Sequence, residues 1–434
     1  MSRSPLVSVV LPSYNHAPFV AAAVESVLNQ TITDIELIVV DDGSTDGTPE
    51  IVANIQDPRL RLVRLGENRL RHPRNLALGL TQAPNIAFQN SDDLWLPEKL
   101  ETQLALLEER EELVACFTDV EIIDNDDTAL SGSWANGLFS TENRTNVRWM
   151  RHFFDVGNCL CLTSALVRRS AMEMAGVFRG QYVQLSDLDL WTRLAALGQF
   201  HIVDERLTRF RVVTGNKGLE NLSGPKIASQ NRSVIEHADL LRNFVTPPIF
   251  DMLPDIFPDV IGSAADSPPV RVARLARYAW SLGTVQHSLF ADKAVASVMA
   301  NERARNDVAD ALGAELFREF VRRRGDISIR PQDQPLGFDA QAAERDRALN
   351  GLRAQLAERD RALNDLRAQA AERDRALNGL RAHLAERDRL IQDLSVRLTA
   401  EQDLVSELVN SRSWKVTLPL RVIANEVSKL WRQR

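Results

Sequence analysis

SVVLPSYN (Ser8–Asn15) is an apolar run that stops at a tyrosine and an asparagine, and ELIVVDDGSTDGT (Glu36–Thr48) is a second such run with Asp41 and Asp42 at its exit. A third segment, NIAFQNSDDLW (Asn85–Trp95), runs into Asp92 and Asp93. Short apolar runs bounded by turn residues read as strands. The stretches Ala17–Gln30, Asp46–Gln56, Pro73–Thr81 and Pro97–Arg110 read as helices lying between candidate strands at Glu36, Leu60, Asn85 and Leu113. Strand and helix alternating in this way predict βαβ units and a mostly parallel sheet. Polar groups placed after the strands of an open α/β sheet gather along its carboxyl edge, where ligands bind. A nucleotide-type site is therefore expected near the N-terminus.

Outward from this region, composition bounds the rest. The chain of 434 residues, 44% hydrophobic, is long enough for two or more domains and can bury a core in at least one. A formal net charge of -7 argues against a general nucleic-acid binder. Three cysteines, Cys116, Cys159 and Cys161, supply no disulfide or metal framework, which fits a reducing cytosol. The first residues read as a strand rather than a signal peptide, and no uncharged apolar stretch of about eighteen residues is found. The expected location is therefore cytoplasmic.

Four segments separate: an α/β domain over 1–224, a helical accessory region over 225–333, a coiled coil over 340–410 and a basic amphipathic tail over 411–434. In the second, Val270–Leu282 and Asp292–Leu312 read as helices. In the third, AERDRALNGLRAQL at Ala343 returns at Ala357 and Ala371 with a period of fourteen, two heptads. Leu349, Leu352, Leu356, Leu363, Leu366, Leu377, Leu380, Leu384, Ile391, Leu394 and Leu398 keep the three-and-four spacing of a coiled-coil seam, and Val405 and Leu408 continue it. Arg345, Arg359, Arg373 and Arg387 at alternate d positions weaken the seam while limiting its register. The rod would be on the order of 100 Å long at about 1.5 Å per residue. The tail sets Arg412, Lys415, Arg421, Lys429, Arg432 and Arg434 against Glu426 alone, among Trp414, Trp431 and aliphatic residues. Such a segment suits an anionic membrane surface, or equally a helix docking on a partner or on its own domain.

Tyr14 offers a ring to stack on a base, and the Asp42 carboxylate can accept from a base N–H. LPSYNHAPF carries no glycine, so neither a dinucleotide fingerprint nor a P-loop follows the first strand. In NSDDLW, Asp92 or Asp93 could hold Mg²⁺ or Mn²⁺ while the other caps or orients, since such ions need only one or two protein carboxylates when a diphosphate supplies the remaining oxygens. Without a metal the same acids are a helix-start box. In LSDLDLWTRL (Leu185–Leu194), Asp187 and Asp189 open a helix expected to bury Trp191, and a carboxylate there could act as a general base toward an alcohol or merely cap the helix.

Taken in order, PSYN, VVDDGSTDGT, PRN, NSDDLW and SDLDLWTRL resemble the inverting family 2 glycosyltransferases of the GT-A fold, over about the first 215 residues. The resemblance implies that Pro12, Tyr14 and Asp42, with Asp41 beside them, hold the nucleoside, and that Arg74 and Asn75 lie near the nucleotide and its phosphates. Asn90-Ser91-Asp92 stands where the family has Asp-x-Asp, so Asp92 takes the metal position and Asn90 and Ser91 the donor side. Ser186-Asp187 stands for the usual Glu-Asp pair, which makes Asp187 the base, and Arg211 resembles a basic residue of a loop that closes over the donor. Asp93 and Asp189 are secondary candidates. The implied activity is transfer, with inversion, of a sugar from a nucleotide-sugar to a hydroxyl of a bacterial surface glycan or lipid-linked acceptor, with Mn²⁺ or Mg²⁺ as cofactor. The coiled coil would make a homo-oligomer, and the tail would bring it to the cytoplasmic face of the inner membrane or to other glycan-assembly enzymes. The alternative is a degenerate, non-catalytic transferase domain on a rod that organises such enzymes, consistent with Asn90 and Ser186.

Overall fold

The apolar runs of the first hundred residues become the inner strands of one sheet. In the computed structural model, which describes residues 4–67, 73–139, 142–213, 227–262, 265–325 and scattered positions between 386 and 429, the strands are β1 (Val7–Ser13), β2 (Ile35–Asp41), β3 (Leu60–Arg64), β4 (Asn85–Phe88), β5 (Leu94–Trp95), β6 (Leu113–Ile123), β7 (Leu166–Arg168) and β8 (Gln199–Arg211). Their order across the sheet is β3, β2, β1, β4, β7, β6, β8, β5. The pairs β3/β2, β2/β1, β1/β4 and β6/β8 are parallel, whereas β7 runs against both neighbours and β5 against β8. The expected α/β class with a mostly parallel central sheet is what the chain forms.

Helices cover the sheet as the βαβ reading requires: α1 (Val20–Leu28), α2 (Thr48–Ala53), α3 (Pro73–Leu78), α4 (Lys99–Glu109), α5 (Asn146–Asp155), α6 (Arg169–Ala175) and α7 (Ser186–Ala195). In α1 the buried residues Val20, Ala23, Val24, Val27 and Leu28 recur at three-and-four spacing, so one stripe lies on the sheet. That stripe packs with Val7, Val9, Leu11, Leu37 and Val39, the residues of β1 and β2 that point to the same face. The alternate residues Val10, Ile38 and Val40 enter a larger core on the other face, with Trp149, Phe153 and Phe154 of α5 and Leu190, Trp191 and Leu194 of α7. Trp191 is fully buried, as the sequence led us to expect.

That second core continues into the helices that follow: α8 (Ile227–Leu240), α9 (Leu253–Ile256), α10 (Pro258–Ile261), α11 (Pro268–Ser281), α12 (Val285–Met299), α13 (Glu302–Leu312) and α14 (Glu315–Gly325). Phe154 joins the two parts. Its ring makes edge contacts with Phe244, Phe257 and Phe290, with centroids at 5.0, 5.0 and 5.7 Å. Burying one such ring contributes about 1.5–3 kcal/mol from area alone. The helix expected over Asp292–Leu312 is broken in the structure. The Asn301 side chain accepts the Ala304 N–H at 3.0 Å and caps a new helix, a use of asparagine that competes with helix continuation.

The chain divides into two units, residues 1–328 and 329–434. In the second, the described positions between 386 and 429 are helical and exposed. The repeats and most of the tail lie outside the described residues, including Leu349 to Leu384, Leu394, Leu398, Val405, Leu408, Trp414 and Trp431. Of the expected seam positions, Arg387 and Ile391 are described, both helical and exposed in the single chain. No helix among the described residues is long and apolar enough to cross a membrane.

Candidate active site

The carboxyl ends of β1, β2 and β4 open onto a cleft of about 1050 Å³. Pro12 and Tyr14 from the β1 end, Asp42 from the β2 end, and Asn90, Ser91 and Asp92 from the β4 end line it, together with Arg74 at the start of α3 and Asp187 in the first turn of α7. Eight of the residues singled out from sequence thus meet in one place. The register explains why. Ser13 pairs with Asp41, so β1 and β2 end level, and β4 ends opposite Val10, so the exit loops of three parallel strands leave from one edge.

The first two loops are sewn to each other. The Asn15 N–H donates to Ser44 Oγ at 2.8 Å, and Asn15 Oδ1 accepts the Thr45 N–H at 2.8 Å. Asp41 does not line the cleft. Its carboxylate accepts from the Ser44 N–H at 3.0 Å and the Ser44 hydroxyl at 2.5 Å, so it shapes the turn that carries Asp42. Gly43 and Gly47, at φ 79° and 87°, supply the left-handed backbone this turn needs. His16, a residue not foreseen, shares a 2.7 Å hydrogen bond with Ser91 and so links the β1 and β4 loops.

In the β4 loop the two aspartates have different work. Asp93 is fully buried, with Oδ1 accepting the Arg211 N–H at 2.8 Å and Oδ2 accepting Asn90 Nδ2 at 2.9 Å. Burial, and then the charge of Asp92, push its pKa well above the ordinary carboxylate range. Asp92 lines the cleft, and burial raises its pKa too, opposed by His16, Arg211 and Arg74. Asn90 also accepts from Arg74 Nη2 at 3.0 Å. Asn90 therefore bridges the Arg74 guanidinium and the Asp93 carboxylate.

Three expected residues are internal braces. Asn75 uses both amide atoms on the Phe178 backbone, Nδ2 donating to the carbonyl at 2.7 Å and Oδ1 accepting the N–H at 3.0 Å. Arg211 ends β8 rather than sitting in a mobile loop. It is buried over the Phe19 ring, donates to the Asp92 carbonyl at 2.7 Å and the Asp124 carbonyl at 2.5 Å, and pairs with Asp127. Asp189 is fully buried against Arg179 at 3.0 Å and Arg193 at 2.8 Å, and it accepts from Asn243.

Asp187 faces the cleft. Its Oδ1 accepts the Leu188 N–H at 2.8 Å and its Oδ2 accepts Asn158 Nδ2 at 2.7 Å. Burial raises its pKa to about 6, with the Leu188 N–H, Arg74 and Asn158 pulling the other way. A general base works best when its pKa lies near the working pH.

The remaining walls are residues that sequence reading missed. Trp134 and Phe139 flank Phe210, with centroids at 6.3 and 5.2 Å, and form an aromatic side. Val234 and His237 of α8 and Gln286 of α12 close the opposite end. Gly157 has φ 112°, a backbone conformation that favours glycine, and it lies against the His237 ring. The Gly157-Asn158 dipeptide was a turn signal that could have been read. Nothing in the sequence announced the α8 residues.

Among the described residues no cluster of three or more His, Cys, Asp or Glu side chains could by itself hold a metal. What is present is a hard oxygen donor, Asp92, beside a second acid, with burial opposing the ionisation of both. That combination fits a divalent cation held by one protein carboxylate and completed by phosphate oxygens.

Residues 8–173 match the family described as Glycosyl transferase family 2. A chondroitin synthase of Escherichia coli is 30% identical over 237 residues, which is 54% of this chain and 32% of that protein. The chain thus spans about a third of that relative's length. The UDP-Glc:alpha-D-GlcNAc-diphosphoundecaprenol beta-1,3-glucosyltransferase WfaP of Escherichia coli is 29% identical over 216 residues, covering 49% of this chain and 79% of that protein. Among solved structures, S. aureus TarS 1-349 in complex with UDP-GlcNAc matches at 16% identity with a TM-score of 0.44, over 72% of this chain and 91% of that one. The domain built on residues 8–173 belongs to glycosyl transferase family 2.

Proposed function

We propose that the protein transfers a sugar, with inversion, from a nucleotide-sugar donor to a hydroxyl of a bacterial surface glycan or lipid-linked acceptor. One observation carries this reading. A carboxylate with a pKa near 6, Asp187, shares a cleft with Tyr14 and Asp42, which suit a nucleoside, and with Arg74 and Asp92, which suit a diphosphate and its counter-ion.

In this reading the nucleobase stacks on Tyr14 and donates to Asp42, and the diphosphate lies toward Arg74 and the β4 loop. The aromatic side of Trp134 and Phe210 offers a face for a sugar ring. Asp187 takes the proton of the acceptor hydroxyl as its oxygen bonds to the anomeric carbon. The bond from that carbon to the diphosphate oxygen breaks on the opposite face, and the electron pair leaves with the nucleoside diphosphate. Positioned base catalysis of this kind contributes about 10²–10⁴-fold. Asp92, with Asn90 and Ser91 beside it, would hold a divalent cation. When bound, that cation supplies charge stabilisation for the departing diphosphate. Arg74 adds fixed positive charge on the same side and turns the attached Asn90 toward the loop.

The name of the similar WfaP includes a diphosphoundecaprenol acceptor, and a lipid-linked acceptor agrees with a basic tail that meets an anionic surface. The division into catalytic domain, helical region, coiled coil and tail belongs to the same proposal. The test is calorimetric binding of a panel of UDP- and GDP-sugars with and without Mn²⁺, followed by NMR assignment of the anomeric configuration of the product. Binding of no donor, or a product that retains the donor configuration, overturns the reading.

A further inference from the structure

We propose that Asn158 is a positioning residue for Asp187, aiming the carboxylate into the cleft and keeping it ionised through a direct side-chain hydrogen bond. The proposal rests on the reading of Asp187 as the base.

The geometry is a two-handed hold. Asn158 Nδ2 donates to Asp187 Oδ2 at 2.7 Å, and Asn158 Oδ1 accepts the Leu160 N–H at 3.1 Å. The second bond is an Asx-type turn, so the amide cannot rotate without losing a backbone partner. Gly157, in the left-handed region, sets the turn in place directly after the buried face of α5. On the other carboxylate oxygen the Leu188 N–H holds Oδ1 at 2.8 Å. Asp187 is therefore fixed from two sides by donors that stabilise its charged form, and the carboxylate keeps further lone-pair directions for an incoming hydroxyl.

The Leu188 N–H and Arg74 also favour the charged form, but no other described side chain holds a carboxylate oxygen of Asp187 directly. Arg74, from α3, favours the charge through space, but its guanidinium donates to Asn90 Oδ1 at 3.0 Å. Asp92 and Asp93 lie across Arg74, and the Cys161 thiol from the loop after α5 is held protonated by burial. Among the described side chains Asn158 alone donates to Asp187.

Asn158→Asp separates positioning from mere turn structure. An aspartate keeps the Oδ1 acceptor for Leu160 but puts a second carboxylate where the donor was. Two carboxylates sharing a site titrate as a pair with the upper step raised. Asn158→Ser keeps a cap for the Leu160 amide and loses the reach to Asp187, so the same direction follows should the aspartate variant fold poorly. The readout needs no substrate. In the full-length protein, infrared difference spectra follow the carboxylic acid band that Asp187→Asn removes. The wild-type midpoint is expected at about 6, and both Asn158 variants are expected to move it upward by about one pH unit, the scale of one charged hydrogen bond. A midpoint unchanged in folded Asn158→Asp or Asn158→Ser overturns the proposal. Failure of the underlying reading looks different, because Asp187→Asn would then retain transfer whatever Asn158 does.

Discussion

Glu236 on α8 accepts the Leu185 N–H at 2.9 Å, one residue before α7 begins. The same carboxylate takes the N–H groups of Val183 at 3.0 Å and Gln184 at 2.8 Å. A glutamate from beyond the α/β sheet therefore ties down the segment entering the helix that carries Asp187. Replacing it by alanine leaves backbone donors without their partner, at a cost of about 1–3 kcal/mol. Glu236→Ala is expected to lower the thermal unfolding midpoint and to reduce transfer more than donor binding. Calorimetry on the same sample checks both, and a variant with wild-type stability and rate would show the contact to be idle.

Asp187→Asn is expected to reduce turnover about 100-fold or more while donor affinity stays nearly unchanged. In the wild type, kcat/KM should rise as pH passes through about 6, because the base acts when ionised. Stability runs the other way. The folded pKa lies above the unfolded value, so this carboxyl contributes stability at low pH that is lost as pH rises through the interval between about 4 and 6. A rate profile flat across pH 5–7 argues against Asp187 as the base.

If Asp92 holds the cation, Asp92→Ala should abolish the Mn²⁺-dependent part of donor binding with the circular dichroism spectrum unchanged. Asn90→Asp is a harder test, since it restores an acid but removes the amide that donates to Asp93 Oδ2 at 2.9 Å. Tighter Mn²⁺ binding together with lower thermal stability is the expected pair of results. Metal-independent donor binding in every variant would rule out the assignment.

Lys99 is fully buried, with its ammonium 4.0 Å from the Trp95 ring centre and donating to Gln103 at 2.7 Å. Burial lowers its pKa to about 7. Here the unfolded chain binds the proton more tightly, so stability should fall as pH drops from about 10 toward 7, by up to about 1.4 kcal/mol per pH unit. Lys99→Met should remove that slope. Chemical denaturation of both proteins at pH 7, 8.5 and 10 measures it, and parallel curves would refute the burial argument.

The fourteen-residue repeats lead us to expect a full-length oligomer and a monomeric chain when truncated after Ser328, where the first unit ends. Light scattering on the two forms decides this. Truncation should leave donor binding intact, because the cleft is built wholly from residues before 328. Loss of the last 24 residues alone, Ser411 to Arg434, should release the protein from anionic vesicles at low salt.

The alternation of buried strands and amphipathic helices was legible because it is local: Val20, Val24 and Val27 share a face through helical spacing whatever surrounds them. The exits of β1, β2 and β4 were legible for the same reason, since the carboxyl ends of parallel strands in one sheet point to the same edge. Sequence order could not say which of two adjacent acids faces inward. Asp92 lines the cleft and Asp93 does not, because the incoming backbone of β8 claims Asp93 through the Arg211 N–H across 118 positions. Asn75 is drawn off by Phe178, 103 positions away, and Asp189 by Asn243, 54 positions away, together with Arg179 and Arg193 nearer in the chain.

What the amino-acid sequence by itself determined is the sheet, the edge on which chemistry gathers, the family of the domain, and the identities of Tyr14, Asp42, Asp92 and Asp187 as its polar points. The sheet and its edge follow from periodicity and from residue types at strand ends, set within a few positions of the chain, whereas the family and the choice of Asp187 follow from the resemblance of the motifs taken in order. Only the tertiary structure decided that residues of helices α8 and α12 line the cleft, that Glu236 ties down the entry to the helix carrying Asp187, and that Asn158 reaches Asp187. The Asn158 and Glu236 hydrogen bonds join residues 29 to 53 positions apart, and the cleft gathers residues still farther apart, which meet where the Phe154 core packs the following helices.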